Sequence, residues 1–227
     1  MIVRRSKIAV EGLPYVGVLG FFAWIAALLG FTVLSLIFAM AVGFVLYFFR
    51  DPERQIPENP YAVVSPADGT VIEVRNTHET DFLNHKTKKI SISLAITDCH
   101  INRSPVTGKV TGTKYTRGKF HLANMPGWLF TDKLKRASEQ NERLATLIET
   151  ENEGQIVVSQ VAGFVARRIV SYLQPGDLIQ RGERFGMIKF GSRTDIYLPL
   201  GCEVQTAVGD KVKGGETIIG WLREKNQ

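Results

Sequence analysis

The chain has 227 residues, which allows one domain of ordinary size and an appendage. It carries 28 Lys and Arg against 22 Asp and Glu, a formal net charge of +6. It has no run of five basic residues and no nucleic-acid-binding motif, so a nucleic-acid partner is not predicted. Its two cysteines and four histidines lack metal-ligand spacing, so the sequence predicts no metal site, no disulfide framework and two reduced thiols.

The first element is an apolar run from Leu13 to Phe49 that contains no charged residue and no Asn, Gln or His. As one helix its 37 residues would span about 55 Å, against a hydrocarbon core of about 30 Å. We therefore predict two membrane-spanning helices of roughly 17 residues that turn near Gly30. The alternative is one tilted span followed by an interfacial helix.

The residues that flank this run predict its orientation. Basic residues on both sides place both ends in the cytoplasm and suit an anionic lipid surface. They are Arg4, Arg5, Lys7, Arg50 and Arg54. A secretory signal peptide is not predicted, because its apolar region is much shorter.

Beyond this anchor (residues 1–50), a charged, proline-rich linker covers residues 51–60, and residues 61–227 are predicted as one β domain. Many of its segments alternate at period two between turn residues, as strands do. The clearest predicted strands are Thr70–Val74, Ile90–Ile96, Leu144–Thr150 and Gln155–Val161, the last two joined as a hairpin through Glu151–Gly154. Thr131–Gln140 is predicted as a short helix capped by Thr131 or Asp132.

An internal repeat indicates how the β domain is arranged. Gly176–Glu183 recurs as Gly209–Glu216, and both copies begin with Gly-Asp and end with Gly-Glu. Gly-Asp is typical of a tight turn, and the second glycine lets the next strand approach closely. Two such units resemble the interlocked halves of a biotinyl/lipoyl-type β-barrel. The predicted fold is therefore mainly β, with that barrel as its core and the helical hairpin before it; two unrelated turns are the alternative.

A candidate for the chemistry lies between the repeats, in Phe190–Arg193. Gly191 and Ser192 stand between two apolar, strand-like runs, near where a barrel of this type carries its hairpin tip. A Gly-Ser bond in such a place can cleave itself: the hydroxyl attacks the preceding carbonyl, and the serine becomes an α-keto group. Gly-Ser is also a common turn dipeptide, so an ordinary β-turn is the alternative.

Two further segments carry polar groups that fit this chemistry. Ser65–Thr70 places the carboxylate of Asp68 on a turn before a strand, and Asp98–Gly108 places His100 at the end of the strongest strand. Together with the apolar anchor, these segments resemble the phosphatidylserine decarboxylases, in particular the short membrane-anchored form of bacteria and archaea. The resemblance covers nearly the whole chain. The stretches that carry it follow the family's order: Pro66–Gly69, His100–Val106, Asn141–Arg143, Gln160–Gly163 and Phe190–Arg193.

The resemblance implies a lyase that makes its own cofactor. Ser192 would attack the Gly191 carbonyl, divide the chain into a large part (1–191) and a small part (192–227), and become an N-terminal pyruvoyl group. No external cofactor is implied. His100 would be the base, oriented or charge-stabilised by Asp68. The alternatives are structural: a turn cap for Asp68 and a strand-end histidine for His100.

The chain departs from the longer bacterial form at one position, because Arg103 stands where that form has a second histidine, three residues after the first. This leaves open how base duties are shared, and one interpretation gives both self-cleavage and the later protonation to His100. Arg103 and Arg193 are candidates for holding the phosphate or carboxylate of the substrate, since a guanidinium suits oxyanions. A surface ion pair is the alternative for Arg103.

The implied substrate is phosphatidylserine, or an archaeal-type serine phospholipid, whose amine condenses with the pyruvoyl carbonyl and whose carboxylate leaves. The implied assembly is a heterodimer of the two parts at the cytoplasmic face of the cell membrane, with a higher oligomer left open. One rival is a membrane-tethered biotinyl/lipoyl-like carrier or adaptor, for which Lys189 is the nearest modifiable lysine. A second rival is a pyruvoyl decarboxylase of a free amino acid, against which the apolar anchor argues.

Overall fold

The computed structural model describes residues 7–119, 140–151, 154–163, 169–189 and 192–222. The chain divides into two compact units, residues 1–53 and residues 54–227. Of the helix predicted for Thr131–Gln140, all but Gln140 lies outside the described residues.

The first unit is a pair of helices, α1 (Leu13–Leu28) and α2 (Thr32–Phe48), preceded by a 3-10 turn at Val10–Gly12. Gly30 makes the bend between them with a φ of 81°, a conformation that favours glycine, as the sequence predicted. The helical stretch Val10–Leu28 is long and apolar enough to cross a membrane, whereas α2, also apolar, is shorter at 17 residues. Two spans therefore remain a prediction.

The second unit is built from antiparallel strands. In its described residues they are β1 (Ala62–Val64), β2 (Gly69–Glu79), β3 (His85–Leu94), β4 (Ile101–Arg103), β5 (Gly108–Thr116), β6 (Arg143–Thr150), β7 (Gly154–Val161), β8 (Ile169–Ser171), β9 (Leu178–Ile179), β10 (Arg184–Ile188), β11 (Ser192–Leu198), β12 (Glu203–Val204), β13 (Lys211–Val212) and β14 (Ile218–Trp221). Eight of them form one curled sheet in the order β13-β2-β3-β11-β7-β6-β5-β9. Two smaller sheets have the orders β1-β14-β12 and β4-β10-β8.

Alternation along the central strands separates two faces of the large sheet. In β3 and β11 the even-numbered side chains, such as Ile90, Ile92 and Ile196, pack into the apolar core. The odd-numbered ones, such as Lys89 and Asp195, point to the other face, since successive side chains of a strand alternate. In β3 and β11, an even residue number therefore indicates a side chain on the core face, and an odd number indicates the opposite face.

The strand pairing repeats between two halves of the unit. We call β4–β10 the inserted half, because it lies in the chain between the two pieces of the split half, which are β1–β3 and β11–β14. Each half has a terminal pair (β9 with β5, β13 with β2), a long ribbon (β5 with β6, β2 with β3) and a small sheet. Even the bulges correspond, between Val110 and Gly112 in one half and between Val71 and Glu73 in the other.

The turns that open each half correspond as well. Ser65 and Ser104 donate their hydroxyls to Ala67 O and Val106 O, and each turn is joined to its Gly-Asp repeat, through Gly215 N to Ser65 O and Gly182 N to Ser104 O. The interlocked barrel-like halves predicted from the Gly-Asp repeat are thus confirmed. A second repeat, in which Ser-Pro opens both turns, was missed in the sequence.

One predicted strand ends earlier than expected. Ile90–Ile96 was predicted as a strand, but β3 ends at Leu94. The side chain of Asp98 accepts the backbone N–H of Ala95 at 2.8 Å, which closes a turn and leaves Ile96 exposed. His100 therefore lies after this turn, directly before β4, and not at the end of β3.

Candidate active site

The chain passes between the halves twice, once after β3 and once after β10. The outgoing crossing, residues 95–100, joins β3 to β4, and the returning one, residues 189–191, joins β10 to β11. On one side of the crossings Leu94 pairs with Ser192, and on the other Ile101 pairs with Met187. His100 lies on the outgoing crossing, and its carbonyl accepts the N–H of Ile188 at 3.3 Å. The pairing thus places His100 beside the start of the returning crossing, which leads to Ser192.

Ser192 is the first residue of β11 and is fully buried. Because its residue number is even, its side chain lies on the core face of the large sheet, next to Leu94. Among the described residues its Oγ finds no hydrogen-bond partner. A buried hydroxyl without a partner costs about 1–3 kcal/mol. Ser159 on the neighbouring strand shares this feature, so Ser192 is distinguished by its place at the start of β11 and not by the missing hydrogen bond alone. Phe190 and Gly191, predicted before it, lie outside the described residues.

His100 is buried with its Nδ1 atom 2.9 Å from the carbonyl oxygen of Asp98. A carbonyl oxygen can only accept, so Nδ1 carries the proton of this hydrogen bond. In the neutral ring Nε2 then presents a lone pair, which is the form that a general base requires. The orienting group seen here is a backbone carbonyl two residues before the histidine.

Buried amides and a hydroxyl connect the strands around this place, and they were missed as site residues in the sequence. Nδ2 of Asn102 donates to Oγ1 of Thr194 at 3.2 Å, and Nε2 of Gln160 donates to Oδ1 of Asn102 at 2.8 Å. Thr194 shares the face of Ser192, two residues further along β11. A Cβ on Gly186 would meet the Gln160 amide, so glycine is required there. Asn102 and Gln160 lie in stretches singled out by motif, but a motif does not say which residues touch.

Asp68 has a different partner from the predicted one. Nη2 of Arg54 lies 2.9 and 2.8 Å from the two carboxylate oxygens, and the N–H of Gly214 donates to Oδ1 at 2.7 Å. Burial alone would lower the pKa of the Arg54 guanidinium, but the charge of Asp68 and the hydrogen bond to it raise that pKa above its ordinary value. Asp68 is thus held by Arg54 and by the N–H of Gly214, and support of His100 by Asp68 stays a prediction.

The two arginines predicted to bind substrate lie apart. Nη1 of Arg103 donates to the carbonyl of Gly182 at 3.0 Å, and its side chain packs on Gly215, where a Cβ would lie 2.8 Å from Cδ. Arg193 is on the sheet face opposite Ser192 and pairs with Asp195 through two contacts of 2.9 and 3.0 Å. The structure does not bring the Arg193 guanidinium to the hydroxyl of Ser192.

Behind β11, on the odd-numbered face, charged side chains form a continuous series that we call the ion chain. In order across β2, β3 and β11 it consists of Arg75, Glu73, Lys89, Asp195 and Arg193, joined by contacts of 2.9 to 3.4 Å. Burial alone would raise the pKa of Asp195, but the charges of Arg193 and Lys89 lower it below its usual value. A cavity of about 330 Å³ opens beside the ion chain and is lined partly by Arg143 and Tyr197.

The structure also bears on the carrier-lysine alternative and on the metal-ligating side chains and cysteines of the chain. A carrier lysine must be exposed for modification, but Lys189 is only 7% exposed. Within the described residues no group of three or more His, Cys, Asp or Glu side chains could hold a metal ion. Both cysteines, Cys99 and Cys202, are free and buried, and burial raises the pKa of the Cys202 thiol to about 11.

The chain is similar in sequence to a family of known proteins. A family model described as phosphatidylserine decarboxylase matches residues 42–220. Three relatives named phosphatidylserine decarboxylase proenzyme are similar over almost their entire length. The protein of Desulfotalea psychrophila is 42% identical, over 98% of this chain and 100% of the relative. Those of Geotalea uraniireducens and Symbiobacterium thermophilum are 43% and 44% identical, each over 96% of this chain and 98% and 97% of the relative.

Proposed function

Because the chain belongs to the phosphatidylserine decarboxylase family, whose members are carboxy-lyases, we propose that it decarboxylates phosphatidylserine through a pyruvoyl group made from its own Ser192. The observation that carries this proposal is the buried Oγ of Ser192, which lacks a partner among the described residues and lies at the start of β11, opposite the end of the strand that leads to His100. The word proenzyme in the names of the relatives is consistent with a chain that processes itself.

The group would be made by the chain's own residues. Nε2 of His100 takes the proton of the Ser192 hydroxyl, and Oγ attacks the carbonyl carbon of Gly191, which turns the amide bond into an ester. Loss of the proton from Cα of Ser192 then breaks the Cβ–Oγ bond and releases the Gly191 carboxylate. Water replaces the nitrogen of residue 192 as ammonia, which leaves a keto group at the start of the small part. The buried place of Ser192 would protect the ester from hydrolysis before the elimination, and water is needed only in the last step.

The residues around Ser192 fit the group that it would become. A pyruvoyl group supplies the sink for the electron pair left on Cα when carbon dioxide departs. The core face next to Ser192 holds Leu94, and no described charged group is paired with the serine side chain, so the methyl group that replaces the hydroxymethyl side chain strands no charge. His100 would protonate the product carbon, since its neutral Nε2 can carry a proton in either direction.

The substrate headgroup offers a phosphate, a carboxylate and an amine, and the basic side chains near the site suit its anions. Arg103 is the better of the two predicted candidates, because its strand β4 also carries Asn102, which touches the strand of Ser192. Arg193 remains a predicted substrate ligand, although its bond to Asp195 gives it another role in this structure. The backbone of the lipid, diacyl or ether, is left open.

The proposed products stay together because β11 lies in the middle of the large sheet. It pairs with β3 on one side and with β7 on the other, and both of those strands belong to the large part. The sheet order therefore supports a heterodimer of residues 1–191 and 192–227 as the product of the proposed cleavage. We also propose that the apolar helices hold this unit at the cytoplasmic face of the cell membrane, in keeping with their basic flanks.

The test compares a membrane lipid with a free amino acid. Purified wild type in mixed vesicles should release carbon dioxide from phosphatidylserine and much less from free serine, and Ser192→Ala should release none. Ser159→Ala is the matched control, since Ser159 is a buried serine without a described partner on the neighbouring strand. Equal turnover of free serine would contradict the lipid assignment, and turnover by Ser192→Ala would contradict the role of the serine.

A further inference from the structure

The ion chain lies directly behind the residue at which the chain is proposed to be cut. Arg193 follows Ser192 immediately, and Asp195 is two residues further along the same strand. Lys89 lies between the acids, with Nζ 3.4 Å from Asp195 and 3.3 Å from Glu73. Arg193, Asp195 and Lys89 are each at least 97% buried, so these charges are anchored inside the fold and not on its surface.

The inserted half shows what the same strands look like where no cut is proposed. Register places Gly154 at the position of Ser192, because each starts the strand that pairs with the end of the preceding ribbon strand. The positions of Arg193, Asp195, Lys89 and Glu73 are occupied there by Gln155, Val157, Ala145 and Gly112. Four charged residues have thus been replaced by uncharged ones in the half that keeps its hairpin.

The charges in the split half have a physical reason if β11 becomes the first strand of a separate chain after the cut. Only three residues separate the end of β6 from the start of β7, whereas a cut at Ser192 would give β11 a free end, and strand ends fray. A slip of one residue would also turn residue 192 to the opposite face of the sheet. A buried ion pair resists both changes, since either one would leave a charge buried without its partner.

We propose that Lys89 and Asp195, with Arg193 and Glu73, are positioning residues that hold the newly made chain end in register, so that residue 192 stays on the core face beside His100. This inference rests on the proposed self-cleavage. The charges are needed in the cut, mature enzyme, because in the uncut chain the peptide bond before Ser192 already holds the start of β11 in place. The four residues act through the strand and do not touch the reacting atoms.

The test separates cleavage from turnover. In full-length Asp195→Asn, cleavage should proceed within about twofold of the wild-type rate, while decarboxylation per cut chain falls at least tenfold. Hydrogen exchange of the first amides of the small chain should become at least tenfold faster in the cut protein. In the uncut Ser192→Ala background the same substitution should change that exchange less than threefold. Asp81→Asn is the control, since Asp81 is a partly buried carboxylate outside β11 whose described ion-pair partners are Arg143 and Lys114.

Two results would overturn the inference. The first is a mature Asp195→Asn enzyme that decarboxylates like the wild type or like Asp81→Asn. The second is an equal loss in cleavage and turnover, which a general loss of stability would give. Should Asp195→Asn yield no folded protein, Lys89→Met removes the cation instead and has to show the same split between the two steps. An uncut wild type would instead refute the proposed function and, with it, this inference.

Discussion

The split half and the inserted half share a backbone plan but differ in what their equivalent positions carry. Asn102, Gln160 and Thr194 form the buried polar network near Ser192, and their equivalents are Val63, Leu198 and Ile156, which pack in the apolar core. The turn residue Asp68 corresponds to Thr107, whose Oγ1 accepts the N–H of Arg181 as Asp68 accepts that of Gly214. Features that both halves keep build the fold, and features found at one position only are candidates for function.

The pair of Asp68 and Thr107 shows how this comparison decides between two explanations. A neutral threonine is enough to cap the turn in one half, so the cap does not require a charge. The charge of Asp68 instead pairs with Arg54, which the other half lacks at Thr107. The turn-cap explanation therefore accounts for the backbone hydrogen bond, but not for the carboxylate.

The largest effect should come from His100, whose equivalent position holds Tyr61. His100→Ala should slow self-cleavage at least 100-fold, because general acid–base catalysis contributes roughly 10²–10⁴-fold. Tyr61→Phe at the equivalent position should leave cleavage unchanged. Denaturing gels over time give both rates. Wild-type cleavage in His100→Ala would show that another group serves as the base.

A smaller effect is expected from giving the Asp68 turn the residue of the other half. Asp68→Thr keeps an acceptor for Gly214 N–H but removes the partner of Arg54, so the fold should survive while cleavage slows about tenfold, which corresponds to about 1.4 kcal/mol. Arg54→Gln should slow it similarly, and the double variant should be no slower than either single one, since the two side chains act together. Thr107→Ser is the control in the other half.

Additive losses in that double variant would contradict a joint role of Arg54 and Asp68. Wild-type cleavage in Asp68→Thr would return the carboxylate to a purely structural role.

The smallest effect concerns stability in acid. The pKa of Asp195 is lowered in the folded state, so its contribution to stability is complete above the unfolded value of about 4 and is lost as pH falls further. In the uncut Ser192→Ala background, the thermal midpoint should therefore fall below about pH 4. Adding Asp195→Asn should flatten that fall, whereas Val157→Ala at the equivalent position should not. Parallel curves for the first two proteins would refute this assignment.

The sequence was enough to predict the parts of the molecule that depend on local pattern. The apolar helices with their bend at Gly30, the hairpin of β6 and β7 and the two barrel-like halves are confirmed. The contacts between distant residues were beyond it. Nothing local in the linker says that Arg54 reaches Asp68, and nothing in β11 says that Asp195 pairs with Lys89 across the sheet. Such pairs depend on the strand register and on the order of the strands in the sheet, which a single sequence leaves unspecified.

Self-cleavage between Gly191 and Ser192 is the central claim, and it is tested most directly by the intact mass of the purified protein under denaturing conditions. Wild type should give two masses, one for residues 1–191 and one for residues 192–227 with a keto group in place of the terminal amine. Ser192→Ala should give one uncut mass. A single uncut wild-type chain with full decarboxylase activity would contradict the account, because the electron sink would then have to come from elsewhere.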